Sequence, residues 1–150
     1  MNVANTAVPA ELTRAILGSA ISVHRELGPG LLESTYRACL LKQLRADGMP
    51  VRCEVEIPIQ YKGFEIESTY RADLIVDDKV LIELKAVEHL LPLHESQVLT
   101  YLRHTRLEVG LLINFNVTRL MSGVRRFAHS RPHPTSLSPS AHSASSSPLR

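Results

Sequence analysis

No apolar stretch approaches the ~20 residues needed to cross a bilayer, and the first residues lack the pattern of a secretory signal. A cytoplasmic protein with no membrane partner is the expectation. Cysteine is scarce: Cys39 and Cys53 form neither a disulfide framework nor a zinc motif. Both are expected as reduced thiols packed in a core. Surplus charge is also missing. Lys and Arg number 17 against 15 Asp and Glu, and two of the arginines, Arg131 and Arg150, lie beyond residue 127, where no acid follows. The first 127 residues are therefore neutral, which excludes a globally basic nucleic-acid binder. There is no internal repeat.

What remains is 150 residues at 44% apolar content, enough for one domain with a sizeable core. Residues 1–10 read as a flexible arm and residues 11–127 as the folded domain. Residues 128–150 collapse to Ser, Pro, His and Ala and read as disordered. The tail histidines His129, His133 and His142 are too sparse for a metal site.

Apolar spacing predicts a helix over about 11–27, broken by Gly28-Pro29-Gly30, and a second over about 31–47, stopped at Gly48. His24 is expected at a surface or helix end. Glu33 falls in the first turn of the second helix, where a carboxylate suits the dipole, with Tyr36 beside it at i+3. Residues 51–59 alternate as a half-exposed strand, with Pro58 near its end. Tyr61-Lys62-Gly63-Phe64 is a turn, and 64–70 leads as one extended segment into the centre of the chain. Pro92 marks a loop, 94–105 a helix with Gln97 and Tyr101 on one face, and 109–115 a strand buried on both sides. Residues 120–127 fit a strand or a short helix. Arg103, Arg106, Arg119, Arg125 and Arg126, opposed only by Glu108, form either a phosphate-facing patch or ordinary solvated charge.

The centre is YRADLIVDDKVLIELK, residues 70–85. Two apolar segments flank Asp77-Asp78-Lys79, the sequence of a β-hairpin. Asp73, Glu83 and Lys85 are charges in strands that otherwise read as buried, which is rare without a cause. Glu83 and Lys85 share a face. A two-residue loop would put Asp73 opposite Ile82, away from Glu83; a three-residue loop or a bulge would put Asp73 opposite Glu83. In the second case the carboxylates repel by roughly 4 kcal/mol at 4 Å, which a divalent cation would reverse. Lys85 would offset part of it.

Asp73, then Glu83-Leu84-Lys85, then Gln97-x-x-x-Tyr101, in the order αβββαβ, resembles the PD-(D/E)xK nuclease superfamily, in particular its RecB-like branch. Gly30-Leu31-Leu32-Glu33-Ser34-Thr35-Tyr36 resembles the signature of the GxxExxY proteins grouped with it. The likeness spans about residues 15–126, and Ala72 stands where the name motif has proline. It implies an α/β, restriction-endonuclease-like core, a mixed sheet flanked by helices, with one extra N-terminal helix. It also implies Mg²⁺, with Mn²⁺ as a substitute, held by Asp73, Glu83, the Leu84 carbonyl and Glu33. Lys85 would act on the attacking water and the pentavalent phosphate, and Gln97 and Tyr101 would shape the site and touch the nucleic-acid backbone. The implied activity is phosphodiester hydrolysis of nucleic acid, DNA above all. The alternative is an accessory module that binds nucleic acid or protein and keeps the fold without turnover. A homodimer or a protein partner is expected if long DNA is to be gripped by so short and neutral a chain.

Overall fold

The computed structural model describes residues 8–67 and 70–130. Two helices open the chain, α1 (Ala10–Leu27) and α2 (Glu33–Ala46). Between them Gly28 and Gly30 take φ of 67° and 103°, open to glycine at little cost. The Tyr36 hydroxyl pins this loop. It donates to the Gly28 carbonyl at 2.5 Å and accepts the Leu31 N–H at 3.2 Å, while the ring stacks on Phe115 at 4.7 Å. At the end of α2 the Met49 N–H reaches back to Leu44 O, and Gly48 at φ 85° turns the chain out.

Seven strands follow among the described residues: β1 (Val51–Glu56), β2 (Ile59–Tyr61), β3 (Phe64–Ile66), β4 (Arg71–Val76), β5 (Val80–Lys85), β6 (Val109–Asn114) and β7 (Val124–Ala128). A third helix, α3 (Pro92–His104), connects β5 to β6. The main sheet has the order β1-β4-β5-β6-β7 and is mixed, because β5 and β6 run parallel across the α3 crossover. One core lies under α1 and α2, built on Ile16, Ala20, Tyr36, Leu40, Leu44 and on Leu74, Val76, Val80, Ile82 and Leu84 of β4 and β5. The other lies under α3 and includes Val98, Tyr101, Leu102, Ile75, Leu81 and Leu112. Gly110 allows α3 its close seat on β6, since a methyl there would stand 2.7 Å from Val98 Cγ1.

The expected mixed sheet with flanking helices and an extra first helix is what the chain forms. Several local expectations are corrected. Residues 51–59 are not one strand, nor do 64–70 run straight into the centre. Between β1 and β4 the chain makes a separate β2–β3 hairpin, turning at Lys62 and Gly63. β1 also changes faces. Val51 and Cys53 pack in the first core and Val55 in the second, because Glu54 sits at φ 50° between them.

Pro92 is the first residue of α3 rather than a loop marker, a position where its missing N–H costs nothing. His24 is buried, its Nε2 2.7 Å from Val117 O and its ring beside Phe115. Residues 120–127 contain both alternatives, a 3₁₀ turn at Leu120–Gly123 and then β7. Arg125 and Arg126 are consecutive on β7 and so project to opposite faces, which divides the arginine cluster.

At the ends, Val8 packs against the first core and Ala10 is already helical, so the arm is shorter than residues 1–10. Ala128 completes β7 and the His129 N–H bonds Glu108 O, so the domain runs past 127. Residues 1–7 and 131–150 of the expected arm and tail lie outside the described residues. Both cysteines are free and half-buried against the first core. Among the described residues no helix is long and apolar enough to cross a membrane.

Candidate active site

The register of β4 and β5 pairs Val76 with Val80, Ile75 with Leu81 and Leu74 with Ile82. Asp77-Asp78-Lys79 is thus a three-residue loop, with Asp77 and Asp78 at φ of 51° and 50°. Of the two possible loops this is the one that sets Asp73 opposite Glu83. At that rung the backbone ladder stops, although β5 goes on pairing with β6 as far as Lys85 and Asn114. On the other edge the β1–β4 ladder skips the rung between Glu54 and Asp73.

Side chains fill the gap. Glu83 Oε1 accepts the Asp73 N–H at 3.0 Å, and Asp73 Oδ2 accepts the Leu84 N–H at 2.8 Å. Each carboxylate thus satisfies a backbone donor on the opposite strand, which holds both side chains in one orientation. Because the N–H and C=O of a strand residue leave by the same edge, the Leu84 carbonyl also faces the Asp73 side.

Both acids are buried, Asp73 at 9% and Glu83 at 4% exposure. Burial first, and the Asp73 carboxylate second, push the Glu83 carboxyl up to about 8; the Asp73 N–H and Lys85 pull the other way. A buried carboxylate pair of this kind is stabilised by taking up either a proton or a cation. The donor set therefore fits a hard divalent ion, which binds oxygen and is commonly held by one or two carboxylates with water and phosphate completing its shell.

Glu33 opens α2 with its carboxylate toward this pair. Burial raises its carboxyl above the ordinary range, Lys85 opposes that, Asp73 adds to it, and Arg37 opposes. Among the described residues no three His, Cys, Asp or Glu are placed to hold one ion together. The expected set of Asp73, Glu83 and Glu33 is therefore not gathered into a ready three-ligand group. Lys85 is half-buried at the end of β5 and close enough to bear on Glu33, Glu83 and His94.

On α3, Gln97 Nε2 donates to the Tyr101 hydroxyl at 2.7 Å, as the four-residue spacing anticipates. Burial, then the Glu83 charge, push the Tyr101 hydroxyl up to about 12. It stays a neutral donor at the wall of the site. Tyr70 leans on its ring at 6.2 Å.

Three residues here escaped sequence reasoning. Arg37 reaches Asp73 Oδ1 at 3.3 Å and Glu54 at 3.6 Å; its signal was the i+4 spacing from Glu33. Asn114 looked like part of an apolar run. It is buried, and its amide bonds both the N–H and the carbonyl of Val87, clamping the chain just beyond Lys85. His94 closes back on the Leu91 N–H through Nδ1, the task a Glu or Gln performs in a capping box. Burial and Lys85 hold its ring below the usual histidine range.

A family model described as the PD-(D/E)XK nuclease superfamily matches residues 10–127, most of the chain. No curated protein and no solved structure matches it.

Proposed function

The chain belongs to the PD-(D/E)XK nuclease superfamily, and on that premise we propose that it is a divalent-metal-dependent nuclease hydrolysing phosphodiester bonds, with DNA as its substrate. Within the superfamily we assign it to the GxxExxY group and the RecB-like branch, on Gly30, Glu33 and Tyr36 and on Gln97 and Tyr101. The single observation that carries the reading is the reciprocal bonding of Asp73 and Glu83 where β4 and β5 part, with Lys85 next on the Glu83 face.

Asp73 and Glu83 would hold Mg²⁺ or Mn²⁺, with the Leu84 carbonyl as a further ligand. Such an ion supplies charge to a phosphoryl oxygen and acidifies a bound water. Glu33 would orient the attacking water from the helix side. Lys85 would donate to that water through its ammonium and face the negative charge that develops on the phosphoryl oxygens. Gln97 and Tyr101 offer neutral donors to the backbone of the nucleic acid.

The test is cleavage of single- and double-stranded DNA and RNA with Mg²⁺ or Mn²⁺, with Glu83→Ala as control and circular dichroism to confirm folding. Metal-dependent cleavage by the wild type, lost in Glu83→Ala, is the expected result. Binding of nucleic acid with no cleavage under any metal would favour the accessory-module reading.

A further inference from the structure

Arg37 stands four residues after Glu33, so both side chains leave the same face of α2. Its guanidinium lies 3.3 Å from Asp73 Oδ1 and 3.6 Å from Glu54 Oε1. The other Asp73 oxygen is held by the Leu84 N–H. Oδ1 is thus the oxygen left for an incoming ion, and it is the oxygen on which Arg37 sits.

Both ion pairs are long. A charge-assisted N–H···O bond closes to about 2.7–2.9 Å, and Arg37, divided between two carboxylates, stays longer than that to both, with a stretched hydrogen bond to Asp73 alone. The two acids differ in setting. The Asp73 side chain is 12% exposed and that of Glu54 54% exposed, with the Arg37 side chain at 25% between them. Movement toward Glu54 carries the guanidinium outward, into better solvation, and clears Oδ1. Glu54 is held for this at φ 50° inside a strand, at the one rung that the β1–β4 ladder omits. A non-glycine residue kept in that region is strained, and such strain collects at working sites.

We propose that Arg37 is the resident counter-cation of Asp73, displaced onto Glu54 when a divalent ion binds, and that it sets ion affinity by competing for Oδ1. The inference rests on the divalent-ion site proposed above. Arg37 is here a positioning residue. In the metal-free protein it neutralises a buried carboxylate and keeps it oriented. In the loaded protein a guanidinium left beside the ion would repel it through a partly dry medium, so Glu54 is needed as the second berth.

Calorimetric titration of Mn²⁺ into the full chain, without nucleic acid, compares wild type, Arg37→Gln and Glu54→Gln. Arg37→Gln should bind about fivefold tighter or more, at unchanged stoichiometry, because the competitor is gone. Glu54→Gln should bind about threefold weaker or more, because Arg37 loses its alternative partner. Metal-free Arg37→Gln should melt below wild type, and saturating Mn²⁺ should close that gap. Equal or weaker binding by Arg37→Gln overturns the competition and leaves the metal site standing. No binding by any of the three proteins removes the metal site and this inference with it. If Arg37→Gln does not fold without metal, Glu54→Gln decides alone, and an unchanged affinity overturns the proposal.

Discussion

β2–β3 and β4–β5 are both antiparallel hairpins turned by residues in left-handed conformations, at Lys62 and Gly63 in one and at Asp77 and Asp78 in the other. Every residue of β3 is exposed, while five of the six residues in each of β4 and β5 are buried. The local rules that make them are the same. The difference lies in what happens at the outer edges. β4 pairs onward with β1, and β5 with β6, so their side chains are covered by helices on both faces. Among the described residues β2 and β3 pair only with each other. In the covered hairpin a charge must be answered, by a partner or a ligand; in the open one water answers it.

The largest test of that contrast places the same charge in both. Ile82 is fully buried and Ile66 is 46% exposed. Ile82→Asp should leave a chain without a cooperative thermal transition, since an unpaired buried carboxylate costs more than the stability of a typical domain of about 5–15 kcal/mol can absorb. Ile66→Asp should shift the transition by no more than about 1 kcal/mol. A milder buried change, Leu81→Ala, should cost about 2–5 kcal/mol. If Ile66→Asp unfolds the protein as Ile82→Asp does, the β2–β3 face is covered by something in solution and the comparison fails.

Much of the covered hairpin was legible in the sequence. Its two apolar runs, the polar break and the out-of-place Asp73, Glu83 and Lys85 all stand in the chain in order. The choice between a two- and a three-residue loop was not, because Asp77-Asp78 and Asp77-Asp78-Lys79 are both acceptable turns. Only burial on two faces selects the register that opposes Asp73 to Glu83. The open hairpin was harder to see. Residues 51–59 alternate throughout, and Pro58 was the only local hint that Ile57 ends its run in the second core while Ile59 starts a new strand. Arg37 and Asn114 were missed for a related reason. The i+4 spacing of Arg37 from Glu33 is common on any helix and an asparagine in VGLLINF has no local signature, so neither names its partner. Their partners, Asp73, Glu54 and Val87, lie between 17 and 36 residues away.

The second test is the pH dependence that the covered pair imposes. With chelator present, the unfolded chain releases the Glu83 proton near the ordinary 4.5, whereas the folded chain keeps it up to about 8. A raised folded value stabilises fully below the unfolded one and is lost as pH rises through the folded one. The metal-free protein should therefore lose stability between about pH 4.5 and 8, by on the order of 5 kcal/mol. Glu83→Gln removes that slope, and at pH 8 it should melt above metal-free wild type. Saturating Mn²⁺ should reverse the order, since only wild type then gains from the ion. Parallel stability curves for the two proteins from pH 5 to 8 would show that the Asp73–Glu83 pair is not strained by its own charge.

The smallest effect belongs to the open hairpin. Tyr61 and Phe64 are directly opposed, 57% and 68% exposed, on a face they share with Ile59 and Ile66. An aromatic cross-strand pair contributes about 0.2–1 kcal/mol relative to alanine. This one stabilises a hairpin tied to the domain at its base, by Ile57 N–H to Tyr70 O and Gln60 N–H to His104. Loosening the pair frays the tip without reaching either core, because opening of such a segment is separate from global unfolding. Phe64→Ala should leave the melting temperature within about 2 °C of wild type and Mn²⁺ affinity unchanged. Amide exchange should quicken at residues 59–66 alone. Faster exchange spreading into β4 would mean that the two hairpins unfold as one unit, and that the open hairpin supports the strand that carries Asp73.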